Sequence, residues 1–293
     1  MSSRTGLDRL VVATVPRDVV IVNGPEAELY LQGQISADVA ALEPGESALS
    51  FLLEPRGRIE ALFVISRTGP DTFVADAEPG FGEEMTTSLA RFKLRTKAEF
   101  SPQQWTMHAV RGPQAASEPT TRAAATGPAD APEHVVRPTL WPHASGYDML
   151  VSPSGVVSQT GSAQQIPTDE FEALRMAYGL PAMGSEIQPG DIPNETGLVE
   201  RAASFTKGCY RGQELVERID SRTGGRRSVC RLRAGVPLAP GDELHDGAGT
   251  AVATVLSAAA LDDAVVGFAL ARRDAAEGAF TSAAQPVELA DLF

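Results

Sequence analysis

From Arg226 onward the chain is a succession of short β-rich runs, "SVCRLRAG", "GDELHDGAG", "TAVATVLS" and "AVVGFALAR", each closed by a glycine or polar turn. Strands this short at this spacing predict a small β-barrel over 226–293. The preceding part alternates strands with helices. "VVIVNG" (19–24) reads as a short buried strand, and "PEAELYLQGQIS" (25–36) as a helix with Pro25 at its first position. "ESALSFLLEPRGRIEALFVI" is a hairpin turning at Glu54-Pro55-Arg56-Gly57, with proline second and glycine fourth as a type I turn prefers. "TFVADA" follows as a strand, 81–94 as an amphipathic helix, and "KAEFSP" as a return to strand. Residues 114–133, rich in Ala, Pro, Thr and Gly, read as an exposed loop or insert. "GYDMLVS" is a strand, and 168–180 a helix with Thr168 as its N-cap and Gly179 and Pro181 at its end. The expected fold class is α+β with antiparallel pairing; a Rossmann-type glycine fingerprint is absent.

With 43% hydrophobic and 22% charged residues in 293, the chain has the means to bury a substantial core. Its formal charge of −13 argues against general nucleic-acid binding, which needs a basic surface to replace phosphate counterions. The charge is uneven: residues 201–233 hold nine Lys or Arg against three acids, a +6 island on a remainder of −19. Such an island draws small anions while the whole repels long polyanions; a solvated, arginine-rich hairpin is the plainer reading. The N-terminal stretch is broken at Pro16, Arg17 and Asp18, and no run reaches membrane-spanning length. With only Cys209 and Cys230, a reducing cytoplasm is the expected compartment.

One of those cysteines sits in "FTKGCYRGQELVERI" (205–219). Lys207 and Arg211 flank Cys209 at two residues on either side, and cationic neighbours raise the thiolate fraction of a thiol. Gly208 and Gly212 admit backbone conformations closed to other residues and leave the sulfur little covered. Gln213 and Glu214 offer groups to orient a ligand or partner. The competing reading is a tight turn in which a cysteine fits. Cys230, in an alternating strand, reads as packing. The cysteines are 21 positions apart without a C-x-x-C pair, and His108, His134, His143 and His245 are scattered, so no metal site is expected.

"KGCYRGQE" (207–214) closely resembles the signature of the YgfZ family, folate-binding proteins linked to iron–sulfur cluster assembly and repair and related to the glycine cleavage T-protein, an aminomethyltransferase. "YLQGQISADVAAL", "EPRGRIEALFVI", "LARFKLRTKAEF", "LRMAYGLPAMGSEI" and "IPNETGL" extend the likeness over most of the chain. The resemblance implies a T-protein-like ring of three modules around a central channel: 1–225 as two interleaved α+β modules and 226–293 as the barrel. It implies tetrahydrofolate or a derivative in that channel, with or without a polyglutamate tail. It makes Cys209 the reactive residue at the channel's rim, within the signature Lys207, Gly208, Cys209, Tyr210, Gly212, Gln213 and Glu214. It makes Glu195 the carboxylate that grips the pterin, and Arg218, Arg222, Arg226 and Arg227 the receivers of the tail.

T-proteins carry paired aspartates in the second hairpin strand, whereas "GRIEALFV" offers Glu60 followed by Ala61. The expected function is therefore a folate-binding accessory factor for iron–sulfur proteins, its partners being assembly factors or client proteins, without nucleic acid or membrane. The alternative is a folate-dependent one-carbon transferase with Glu60 as its acid. A folate-binding module without chemistry is the third reading.

Overall fold

A computed structural model describes residues 7–113, 115, 132–156, 163–223, 226–275, 280–282 and 285–292, with the side chains of 220–223 and 275 excepted. The insert read at 114–133 lies outside the described residues apart from 115, 132 and 133.

The organising element is the long strand β1 (Val11–Asn23), which begins well before the expected Val19. Its side chains separate by the two-residue period of a strand. Val20 and Val22 enter one core with Leu31, Phe63, Phe73 and Met85. Val11, Val15, Val19 and Ile21 enter another with Trp105, Leu150, Phe171 and Leu174. Around β1 the sheet adds β2 (Ser47–Leu53), β3 (Ile59–Arg67), β4 (Thr72–Ala77), β5 (Glu99–Arg111), β6 (His134–Pro138), β7 (Gly146–Val151) and the short β8 (Gln164–Gln165). The order is β2-β3-β4-β1-β5-β7-β6, with β8 beside β1.

On one side of β1 the pairing is interrupted. β8 pairs with Val11 and Val12, and β4 takes over only at Asp18, so residues 13–17 have β5 alone as neighbour. Pro16 falls in that gap, where a residue without an N–H loses nothing. Here a cavity opens.

Helices α1 (Ala27–Gln34) and α2 (Gly82–Arg91) cover one face of the sheet and α3 (Thr168–Tyr178) the other. Gly179 ends α3 with φ +82°, its N–H donating to the Arg175 and Met176 carbonyls. The expected N-cap is displaced by one residue: Pro167 occupies that position, Thr168 is the first helical residue, and no side chain caps the helix.

Downstream come the short α4 (Val199–Ala202) and α5 (Gln213–Thr223). They are followed by β9 (Arg227–Ala234), β10 (Glu243–His245), β11 (Ala251–Leu261), β12 (Ala264–Arg272), β13 (Phe280–Ser282) and β14 (Gln285–Ala290). These six strands close into the expected barrel, in the order β10-β11-β12-β9-β14-β13. Cys230 is buried in it, its Sγ 3.6 Å from the Ser228 carbonyl. Burial pushes that thiol up to about 11, which makes it inert. A shared apolar cluster fastens barrel to sheet: Val229, Val266, Phe268 and Leu292 pack with Leu49, Phe51, Met176, Tyr210 and Val216. Among the described residues, no helix is long and apolar enough to cross a membrane.

Candidate functional site

The signature is a loop clasped to α1 and leading into α5. Lys207 is buried, and its Nζ donates to the carbonyls of Ile35 (2.7 Å) and Ala37 (2.6 Å) just past the end of α1. Its ammonium also lies 5.0 Å from the centre of the Tyr210 ring. Burial pulls the Lys207 amine down to about 8 against the opposing pull of Asp38. Arg211 donates its backbone N–H to the Gly33 carbonyl and its Nη2 to Glu60 and Ser88 Oγ, both at 2.9 Å. Burial lowers the Arg211 guanidinium, while Glu60 holds it up.

Lys207 and Arg211 are held by carbonyls and by Glu60, contacts that fix the loop's shape. Cys209 itself is exposed.

The two glycines also differ. Gly212 has φ +81°, and a Cβ there would stand 2.7 Å from both the Glu54 carbonyl oxygen and Leu53 Cβ. Opposite it Gly57, at φ +86°, has no room either, with the Gly212 carbonyl oxygen at 2.7 Å. The hairpin turn and the signature turn thus interlock through two glycines. Gly208 has open space around it, so its missing side chain leaves the flank of the thiol clear. Gln213 accepts from the Tyr210 N–H and donates to Glu217 at 2.6 Å, opening α5, with Glu214 exposed in its first turn. The clasp carries a prediction. Lys207→Met, which keeps the stem but bares both carbonyls, is expected to lower stability by roughly 2–3 kcal/mol in urea unfolding. Because the folded-state value lies below the ordinary 10.5, the unfolded chain binds more protons between about pH 8 and 10.5. Wild type should therefore gain stability relative to the variant as pH rises through that window.

The cavity beside the β1 gap, of about 250 Å³, is lined by Val15, Pro16 and Arg17, by Leu49 and Leu62 of the hairpin, and by Phe171 and Arg175 of α3. One end holds a buried ionic chain. Asp76 on β4 accepts from Arg17 and from both Nη atoms of Arg137, while Arg17 also reaches Glu78. Asp148 on β7 accepts from Arg111 Nη2 at 2.5 Å. Burial alone would raise the Asp76 carboxyl, but Arg137 and then Arg17 outweigh it and hold it low. Arg111 lies 4.5 Å over the Trp141 ring, which stacks against Phe171 at 5.0 Å. Two donors in this chain are unfilled: the Nε atoms of Arg111 and Arg137 are buried without a hydrogen-bond partner. Arg137 Nε lies 3.5 Å from Asp148 Oδ2, within ion-pair range but not hydrogen-bonded. Arg17, Arg111, Arg137, Glu78, Asp148 and Trp141 all line the cavity. None was singled out in the sequence; the available signal was an ionisable residue at an inward position of an apolar strand.

The expected pterin and tail residues lie elsewhere. Glu195, on a 3₁₀ turn (Pro193–Glu195), accepts from Arg227 Nη2 at 3.1 Å. With Arg226, Arg227, Arg272, Arg273 and Asp274 it lines a separate cleft that shares no residue with the cavity. Arg218 is exposed on α5, and the side chain of Arg222 lies outside the described residues. No signature residue lines this cavity. Glu60, bound to Arg211 and Ser88, lies off the cavity as well.

Six-stranded barrel, curled sheet and the cavity beside α3 together define the T-protein fold class. The glycine cleavage system aminomethyltransferase T from Bartonella henselae superposes with a TM-score of 0.82 over 98% of this chain and 86% of that one, at 16% identity. No family model matches the chain. Within that class its relatives are the proteins named tRNA-modifying protein YgfZ. Those of Klebsiella pneumoniae and an Enterobacter species are 28% and 27% identical over 258 and 257 residues, 83% of this chain and 78% of each relative. An uncharacterized protein of Haemophilus influenzae is 25% identical over 215 residues, 72% of this chain and 69% of that one. The resemblance to the YgfZ family is thereby borne out.

Proposed function

We propose that this chain is a YgfZ-type tetrahydrofolate-binding protein that serves iron–sulfur cluster proteins in the cytoplasm. The observation that carries the folate assignment is the donor and acceptor set of the cavity. A pterin edge presents an amino group and a ring N–H side by side, which a carboxylate accepts as a charge-assisted pair. Asp148 supplies that carboxylate, and the Arg111 and Arg137 side chains that line the cavity supply cationic donors for the ring's oxygen and nitrogen acceptors. Trp141 and Phe171 supply apolar walls for a flat ring. Tetrahydrofolate, when bound, provides a carrier for one-carbon units. The protein's residues bind and orient it and keep bulk water from the buried arginines.

The role given to Glu195 in the sequence passes to Asp148 in this reading. Of the arginines, Arg226 keeps its role: Arg227 and Arg272 are directly opposed across β9 and β12, a like-charge pair that acids must offset. Glu195 and Asp274 neutralise one arginine each, leaving Arg226 and Arg273 for the carboxylates of a glutamate tail. Cys209 acts on the client's cluster or sulfur from its exposed loop. Leu49, Leu62 and Val64 line the cavity and belong to the same apolar cluster as Tyr210, so cavity and signature are one packed unit. The one-carbon transferase reading loses support because its acid, Glu60, is bound to Arg211 away from the cavity. The relatives' name concerns tRNA modification; with a charge of −13, this chain fits that role through the modifying enzymes rather than by gripping tRNA.

Two measurements test the proposal. Titration of tetrahydrofolate into the pure protein is expected to saturate at one site, and absence of saturable heat would remove the folate. A deletion strain carrying Cys209→Ala is expected to keep its iron–sulfur enzymes at the deletion level. Full recovery of those activities would remove the thiol from the function.

A further inference from the structure

Five large apolar side chains stand exposed among the described residues, and four of them, Leu29, Phe92, Leu94 and Phe205, lie on three segments bonded to one another. Leu29 is on α1, Phe92 and Leu94 follow α2, and Phe205 opens the signature loop. The Arg211 guanidinium lies 4.8 Å over the Phe92 ring while its backbone N–H bonds α1 at Gly33, and Tyr30 of α1 donates to the Leu89 carbonyl of α2. At the other end of α1, the Lys97 N–H donates to Glu26. Leu94 is 93% exposed and held at φ +48°, a backbone region in which a leucine is costly. A soluble surface seldom gathers bare apolar groups in this way unless something covers them.

The charge around them selects the cover. Arg91, Lys93, Arg95 and Lys97 fall within seven residues that contain no acid, on a protein of net charge −13. Lys93 is engaged by Glu99, and Arg91, Arg95 and Lys97 are exposed. The one acid within α1, Glu28, is taken by Arg67. Single-stranded nucleic acid fits poorly. The Phe92 ring already has a guanidinium over it, Leu29 and Leu94 offer no face for a base, and the whole molecule repels a long polyanion.

We infer that the surface formed by α1, residues 91–97 and the signature loop docks an acidic segment of a partner protein that presents apolar side chains. This deepens the accessory reading only in that Cys209 lies inside the surface; the docking itself is measured without folate or cluster. The probe is a synthetic peptide of alternating Glu and Leu ending in a cysteine activated as a pyridyl disulfide, with a Lys-for-Glu counterpart as control. The Cys209 thiolate attacks the peptide sulfur, forming a mixed disulfide and expelling thiopyridone, whose absorbance reports the rate. Docking raises the local concentration, so the acidic peptide is expected to react about tenfold faster than the basic one and with a saturating rate. Leu94→Ser/Phe205→Ser and Arg91→Glu/Arg95→Glu should each abolish that advantage while reacting with small dipyridyl disulfide as wild type does. The same peptide without its activated cysteine should bind Cys209→Ala in fluorescence anisotropy, which separates docking from the function of the thiol. Equal rates for the two peptides, or surface variants that behave as wild type, would overturn the inference. So would displacement of the peptide by a short single-stranded RNA, or a dimer of this chain that Leu94→Ser dissolves.

Discussion

Asp148→Asn is expected to weaken tetrahydrofolate binding by about 100-fold, close to 2.7 kcal/mol, because two charge-assisted bonds to the pterin edge become one neutral acceptor facing one donor too many. The side chain keeps its size and still accepts from Arg111, but the buried Arg111 loses its acid and Tm should fall, so a melting curve on the same sample verifies that the variant is folded at the titration temperature. Glu195→Gln should leave the affinity for the monoglutamate unchanged, since Glu195 lies in the barrel cleft rather than the cavity. Arg226→Ala/Arg227→Ala should also leave the monoglutamate unaffected but erase any preference for longer tails. Calorimetric titration of the three variants with mono- and pentaglutamate forms gives six numbers from which the site is read. Equal affinity of wild type and Asp148→Asn would place the pterin outside the cavity. Loss in Glu195→Gln would return it to the position first read from the sequence.

The order and type of the elements were legible because they rest on local patterns. The barrel strands follow from spacing, "TFVADA" is β4 to the residue, and Gly179 ends α3 where a left-handed position is needed. The signature was legible as a site because no ordinary core places a cysteine between two cations. What those cations do was not legible. A spacing of two residues puts side chains on one face only in a strand, and residues 207–211 form none. Lys207 finds its partners at Ile35 and Ala37, about 170 residues earlier in the chain. Glu195 sits on a 3₁₀ turn that carries it to the barrel and Arg227, a placement its motif's position in the sequence does not reveal. The carboxylates of the buried ionic chain escaped notice for a different reason. Asp76 and Asp148 sit among apolar neighbours in strands, where their partners come from β1, β5 and β6 and are unreadable without the sheet order.

Asp76→Asn should be among the most destabilising single changes in the sheet. The carboxylate is fully buried and is shared by Arg17 and Arg137, themselves nearly inaccessible. Neutralising it leaves two guanidinium charges in a low-dielectric interior with Glu78 and Asp148 as their remaining acids. Loss of one member of a buried ion pair costs about 3–5 kcal/mol, because the charge left behind keeps its desolvation penalty. At roughly 2–4 °C per kcal/mol for a large domain, Tm should fall by about 10 °C. The pH dependence identifies the cause. Since the folded state holds Asp76 below its ordinary 3.8, its contribution is complete above that value and is lost as pH falls through the folded-state value. The gap between wild type and Asp76→Asn should be constant near neutrality and close only below about pH 4. A gap that closed near pH 6, or a variant within 1 °C of wild type, would mean that the arginines are paired chiefly by Glu78 and Asp148. In that event the ionic chain would belong to the ligand site more than to the fold, and bound tetrahydrofolate should then raise the Tm of Asp76→Asn and wild type equally.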